Sequence, residues 1–61
     1  MQSMYDVQQL LKKFGIFIYV GNRKADLELM ELEVAELYRE KCITVSEYQE
    51  ALLVLRKEKR M

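Results

Sequence analysis

Apolar residues recur at intervals of three and four in the first part of the chain, a spacing typical of one face of an α-helix. This first set consists of Val7, Leu10, Leu11 and Phe14. Ser3, ahead of the set, is a candidate N-cap, and Asp6 follows it three residues later. Gly15 stands where a helix commonly ends in a left-handed residue. The pattern predicts a first helix over residues 4–14.

A second apolar set of the same spacing follows Asn22, itself a candidate N-cap. The set consists of Leu27, Met30, Val34, Leu37 and Tyr38. It predicts a helix over residues 23–41. Ala25, Leu29 and Leu32 fall roughly opposite this set, so the helix is apolar on two sides. Either it is sandwiched between neighbours or one side binds another subunit.

The third predicted helix has the most specific start. Thr44 and Glu47 have the spacing of a capping box, and Ile43 with Tyr48 has that of a hydrophobic staple. The apolar face that follows consists of Tyr48, Ala51, Leu52 and Leu55. We therefore expect a helix over residues 45–58, paired with the second helix as an antiparallel hairpin.

Residues 16–20 are β-branched or aromatic throughout, a composition typical of a strand. No other segment could pair with them, and an isolated strand is not stable. We expect an extended connector in which Phe17 and Tyr19 face away from the core and the other three side chains face toward it. The predicted fold is all-α, a single three-helix bundle over residues 1–61 with an irregular apolar connector between helices 1 and 2.

Six segments spread along the first half of the chain carry a family resemblance. They are Asp6-Val7-Gln8-Gln9-Leu10-Leu11, Phe14-Gly15, Phe17-Ile18-Tyr19, Gly21-Asn22-Arg23, Ala25-Asp26 and Glu28-Leu29-Met30-Glu31. In these segments the chain resembles the YqgQ-like family of small uncharacterised proteins from Gram-positive bacteria. The resemblance runs nearly end to end and is weaker in the third helix. It implies an all-helical bacterial cytosolic protein and supplies no catalytic residue.

The net charge of zero conceals an uneven distribution of charge. Residues 1–25 contain four basic residues and one acidic residue, and residues 51–61 contain the same numbers. Residues 26–50 contain two basic and eight acidic residues. The sequence therefore predicts an acidic middle and two basic ends.

The sequence lacks the residues that most catalytic sites require. It has no histidine, no glycine-rich phosphate-binding motif and a single cysteine. Carboxylates at helical spacing, namely Glu28, Glu31, Glu36 and Glu40, could serve acid–base or metal chemistry, but a solvated helix face explains them better. We expect no enzymatic activity, cofactor, metal or small-molecule substrate.

The first residues of the chain lack a basic segment followed by an apolar stretch, and the longest apolar run, residues 16–20, is too short to cross a bilayer. We expect a cytoplasmic protein without membrane contact.

Two binding functions remain as hypotheses. The first is binding of single-stranded nucleic acid, because such sites combine cations for the phosphates with aromatic platforms for the bases. Its candidate residues are Lys12, Lys13, Phe17, Tyr19, Arg23 and Lys24. The alternative is that the aromatic side chains are core or connector packing and that the basic residues are ordinary surface. The zero net charge also argues against strong binding of a polyanion.

The second hypothesis is a protein-interaction or self-association module. It rests on apolar helix positions that one three-helix core cannot cover. The candidates are Leu29, Leu32, Leu53 and Val54. The alternative is that neighbouring helices or the connector bury them.

Overall fold

Each helix begins at the N-cap expected from the sequence. In the computed structural model, which describes residues 1–60, the three helices are α1 (Met4–Lys12), α2 (Arg23–Arg39) and α3 (Val45–Lys59). This confirms an all-α three-helix bundle. The first two helices end two residues earlier than expected and the third ends one later. The last residue of the expected 1–61 domain lies outside the described residues.

Side chains satisfy the free backbone amides at the helix starts. At α3, Glu47 N–H donates to the Thr44 hydroxyl at 3.1 Å, and Thr44 N–H donates to the Glu47 carboxylate at 2.9 Å. The predicted capping box is therefore confirmed. At α2, Ala25 N–H donates to the Asn22 side-chain oxygen at 3.0 Å, so the predicted Asn22 cap is also confirmed.

The carboxylate of Asp6 serves the start of α1. It accepts hydrogen bonds from the amides of Gln2 at 2.9 Å and Ser3 at 3.3 Å. The Gln2 bond, followed by the Ser3 bond, holds the pKa of Asp6 below its ordinary value. The charged carboxylate therefore stabilises the first turn.

The C-terminal ends of α1 and α2 have the same geometry. Gly15 and Lys41 both have positive φ values, 74° and 63°. After α2, Lys41 N–H donates to Tyr38 O at 3.0 Å and Cys42 N–H donates to Leu37 O at 2.8 Å. This hydrogen-bond pair is a Schellman motif, which usually has glycine at the left-handed position. The left-handed position that follows α2 is therefore occupied by Lys41, in a backbone conformation that costs an L-residue free energy.

The core lies between the inner faces of the helices. Its buried residues are Val7, Leu10, Leu11, Leu27, Met30, Val34, Leu37, Ile43, Ala51, Val54 and Leu55. The inclusion of Phe14 in the core face was wrong, because α1 ends at Lys12 and leaves the Phe14 side chain 40 % exposed. Tyr38 is likewise 39 % exposed, and its ring stacks on that of Tyr48.

Contacts between α2 and α3 show that the two helices run antiparallel, as expected. Arg23 at the start of α2 forms an ion pair with Glu58 near the end of α3. Glu31 in the middle of α2 accepts from Lys59 at 3.0 Å. These helices pack most extensively against each other.

α1 packs against α3 and approaches α2 least. The amino group of Met1 forms an ion pair with Glu50 on α3. The hydrogen bond from this amine lowers the pKa of Glu50, and the same bond raises the pKa of the amine. Because α1 packs against α3, the connector occupies the space beside α2.

Candidate nucleic-acid interface

Gly15 turns the chain out of α1 and into the connector, residues 16–20. Gly15 N–H donates to Lys12 O and Ile16 N–H donates to Leu11 O, both at 3.0 Å. Glycine adopts the required positive φ without a steric penalty because it has no Cβ. The connector therefore starts directly beside the last turn of α1.

The far end of the connector is tied to α2. Val20 N–H donates to the carboxylate of Asp26 at 2.7 Å, and Gly21, with φ of 83°, turns the chain into the helix. The expectation that Val20 faces the core was wrong, since its side chain is 58 % exposed. Because the Asp26 carboxylate binds the Val20 amide at the exposed start of α2, this end of the connector lies away from the core.

Side chains along the rest of the connector alternate as an extended chain requires. Ile16 and Ile18 pack against the core. Phe17 is 73 % exposed and Tyr19 is 87 % exposed. Within the described chain, the amides of residues 17–19 donate no hydrogen bond. The two aromatic side chains therefore face away from the core, which decides between the exposed and the packed alternatives that the sequence left open.

A groove lies along this segment, between α1, the connector and α2. One part is a cleft of about 430 Å³, lined by Gln8, Leu11, Lys12, Ile16, Phe17, Ile18, Tyr19 and Met30. A neighbouring cleft of about 250 Å³ shares four of these residues and extends to Gly21, Arg23 and Asp26. We call the two clefts together the connector groove. Its base contains the buried side chains of Leu11 and Met30.

Four of the six candidate nucleic-acid residues line the connector groove. Lys12 and Phe17 lie at one end, Tyr19 lines both clefts, and Arg23 lies at the other end. Lys24 is adjacent, in a depression shared with Arg23 and Glu58. Lys13 lies elsewhere, in a depression with Asp6 and Glu47, so the structure does not bring it to this groove.

The cations of the groove differ in availability. Arg23 is engaged by the Glu58 carboxylate, although its side chain remains 67 % exposed. Lys12 and Lys24 form no ion pair with any residue from 1 to 60. A phosphate would therefore meet a free cation at Lys12 and would compete with Glu58 for Arg23.

Gln8 and Met30 also line both clefts, and sequence reasoning did not identify them as site residues. Gln8 lies one turn before Lys12 on α1, and that i,i+4 relation could have identified it. Met30 was predicted only as a core residue. No sequence pattern distinguishes a buried side chain at the base of a groove from one inside the core.

The candidate interaction residues divide into two groups. Leu29, Leu32 and Leu53 are 40 %, 66 % and 70 % exposed. The expectation that Val54 is exposed was wrong, since it is 8 % exposed and belongs to the core. It follows Ala51 by three residues, which places it on the same buried face of α3.

Two other features bear on function. Among residues 1–60, no three acidic or cysteine side chains lie close enough to hold a metal ion. None of the helices in this described part is both long enough and apolar enough to span a membrane.

Comparison with known proteins places the chain among proteins without an assigned activity. It is 47 % identical over 58 residues to uncharacterized protein YqgQ of Bacillus subtilis, across 95 % of this chain and 82 % of that protein. The model of the YqgQ-like family matches residues 1–61. The chain therefore belongs to the YqgQ-like family.

Proposed function

We propose that this protein is a non-enzymatic module that binds single-stranded nucleic acid in the connector groove. The observation that carries the proposal is the exposure of Phe17 and Tyr19, 73 % and 87 %, beside an apolar cleft. Burial is scarce in a domain of 61 residues, so two large exposed aromatic side chains are costly unless they serve a partner.

The spacing of the two rings suits a strand whose bases are unstacked. Alternate residues of an extended segment lie about 7 Å apart and point to the same side. Each ring can then take one base on its face, and stacking of this kind tolerates any base because every base has a π-face. Single-stranded nucleic acid offers such bases, whereas a duplex keeps them stacked and paired.

Charges at the groove support contact with a phosphate backbone. Lys12 lies at one end with no carboxylate partner in residues 1–60, and Arg23 lies at the other. Asp26 also lines the groove; its carboxylate accepts the Val20 amide, a bond to a neutral donor that does not offset the negative charge, so this end is less favourable to phosphate than the Lys12 end. Stacking of two bases contributes about 2–6 kcal/mol, which by itself corresponds to a Kd between about 40 µM and about 30 mM, so one site binds weakly.

The test is a fluorescence titration of labelled 15-nucleotide oligothymidine and oligouridine at low salt, where electrostatic attraction is strongest. We expect Phe17→Ala, Tyr19→Ala and Lys12→Ala each to weaken binding. Tyr5→Ala and Lys13→Ala are matched controls, because Tyr5 is 66 % exposed and lines neither cleft, and Lys13 lies in another depression.

Two results would contradict the proposal. One is the absence of binding at low salt. The other is an equal loss of affinity in the control variants, which would show that the attraction is not centred on the connector groove.

A further inference from the structure

The outer face of α2 combines exposed leucines with carboxylates. Leu29 and Leu32 are 40 % and 66 % exposed, on the side of the helix opposite its buried residues. Glu28 and Glu33 border them in the sequence, and neither forms an ion pair within residues 1–60. This face is therefore an apolar ridge with unneutralised negative charge beside it.

The outer face of α3 has the opposite charge. Leu53 is 70 % exposed, and Arg56, Lys57 and Arg60 follow it at intervals of three, four and seven residues. Residues at these intervals share one side of a helix. Lys57 has no carboxylate partner in the described chain, and Arg56 has only a 3.9 Å approach to Glu31. This face is an apolar position followed by cations, while Glu50, three residues before Leu53, is paired with the Met1 amine.

The two outer faces cannot meet within one molecule. α2 and α3 pack against each other through their buried sides, so their exposed leucines point away from the shared interface. Nothing else in residues 1–60 covers either face. A partner that fits both outer faces must therefore be another molecule.

We propose that the occupant is a second copy of this chain, with the outer face of α2 in one molecule docked on the outer face of α3 in the next. The docked faces bring leucines together and place carboxylates opposite cations. Pairing of two α2 faces would set carboxylate against carboxylate, and pairing of two α3 faces would set cation against cation. Like charges facing each other oppose both symmetric arrangements.

This contact is heterologous, so an open assembly keeps one free α2 face at one end and one free α3 face at the other. Heterologous contacts form rings if the rotation closes and open chains if it does not. Both faces are small, so the association is weak and needs high protein concentration. The average mass then rises with concentration above the 7.3 kDa of one chain.

Sedimentation equilibrium of the full chain up to about 1 mM tests the proposal. The α2 face is removed by Leu29→Gln with Leu32→Gln, and the α3 face by Leu53→Gln. Glutamine keeps helix propensity and leaves net charge unchanged. We expect the association constant of each variant alone to fall at least tenfold. An equimolar mixture of the two variants should form one-to-one dimers, because one variant keeps its α2 face and the other keeps its α3 face.

Circular dichroism establishes that each variant is folded, and recovery in the mixture confirms it independently. Tyr5→Gln is the control, because it removes an exposed apolar side chain from α1 and should leave association unchanged. A wild-type chain that stays monomeric at 1 mM would overturn the proposal. So would a variant that associates as the wild type does, a mixture that stays monomeric, or an equal loss in Tyr5→Gln.

Discussion

Tyr38 and Tyr48 stack across the α2–α3 hairpin, with ring centroids 4.5 Å apart and ring planes within 2° of parallel. Tyr38 lies in the last turn of α2 and Tyr48 in the first turn of α3. Tyr38 is 39 % exposed and lies at the edge of the core, so the contact with Tyr48 positions its ring more than burial does. The stacked rings therefore hold α2 and α3 together beside the segment that connects them.

A double-mutant cycle measures this contact. Aromatic pairs contribute about 0.5–1.5 kcal/mol beyond the area that they bury. We expect Tyr38→Leu and Tyr48→Leu to show a coupling free energy of that size in urea denaturation. Strictly additive effects would show that the two rings contribute independently.

The capping box at the start of α3 should be visible in stability. Thr44→Ala removes the oxygen that accepts from Glu47 N–H, and the loss of an N-cap costs about 1 kcal/mol. We expect a lower midpoint of chemical denaturation. Thr44→Ser keeps the hydroxyl and should stay near wild type. A midpoint unchanged in the alanine variant would contradict the importance of this cap.

The end of α2 offers a stabilising substitution. Lys41 has φ of 63°, a conformation that costs an L-residue about 1–2 kcal/mol and costs glycine little. Glycine also gains freedom in the unfolded chain, which offsets part of the benefit. We expect Lys41→Gly to raise the free energy of unfolding by about 0.5–1 kcal/mol. Lys41→Ala removes the charge without relieving the backbone, so it should give no gain.

Stability should fall on both sides of neutral pH. The lowered pKa values of Asp6 and Glu50 mean that their contribution is present above the ordinary values of 3.8 and 4.5 and is lost as pH falls through the lowered values. The raised pKa of the Met1 amine means that its contribution is present below 8.0 and is lost as pH rises through the raised value.

Thermal unfolding between pH 2 and pH 10 checks this profile with two variants. Glu50→Gln removes the partner of the amine and should flatten the alkaline side, while the Asp6 dependence at acid pH remains. Glu40→Gln is the control, because the Glu40 side chain makes no ion pair within the described residues. An alkaline profile unchanged in Glu50→Gln would contradict this assignment.

Removal of the Glu58 carboxylate, which pairs with Arg23, should strengthen nucleic-acid binding. Glu58→Gln removes the competitor for the Arg23 guanidinium, so we expect a higher affinity for oligothymidine at low salt. Arg23→Ala should reduce the slope of log affinity against log salt by about 0.7, the value for one phosphate contact on a single strand. Tyr19→Ala should weaken binding at nearly constant slope, because stacking releases no counterions.

Features set by neighbouring residues could be predicted from the sequence. The Thr44 and Glu47 cap and the left-handed Gly15 each depend on a few consecutive positions. The outward orientation of Phe17 and Tyr19 follows from alternation in an extended segment. These features account for the helices and for the aromatic part of the connector groove.

Features set by the docking of helices could not be predicted in this way. Val54 is buried because the core face of α3 lies on its side of Ala51, and periodicity alone does not fix where that face is centred. Lys12 and Lys13 differ by about 100° around α1, so the docking angle decides which one reaches the groove. The pairing of Arg23 with Glu58 joins residues that only the folded hairpin brings together.

We expect the short connection between α2 and α3 to influence the order in which the chain folds. Residues 40–44 close the hairpin at a small entropic cost, whereas α1 reaches α3 through contacts as distant in sequence as Met1 with Glu50. Closing a short loop costs less entropy than closing a long one, so we expect the hairpin to form before α1 and the connector dock. Native-state hydrogen exchange would then show less protection in α1 than in α2 and α3, and the connector groove, complete only after that docking, would be lost first in partial opening.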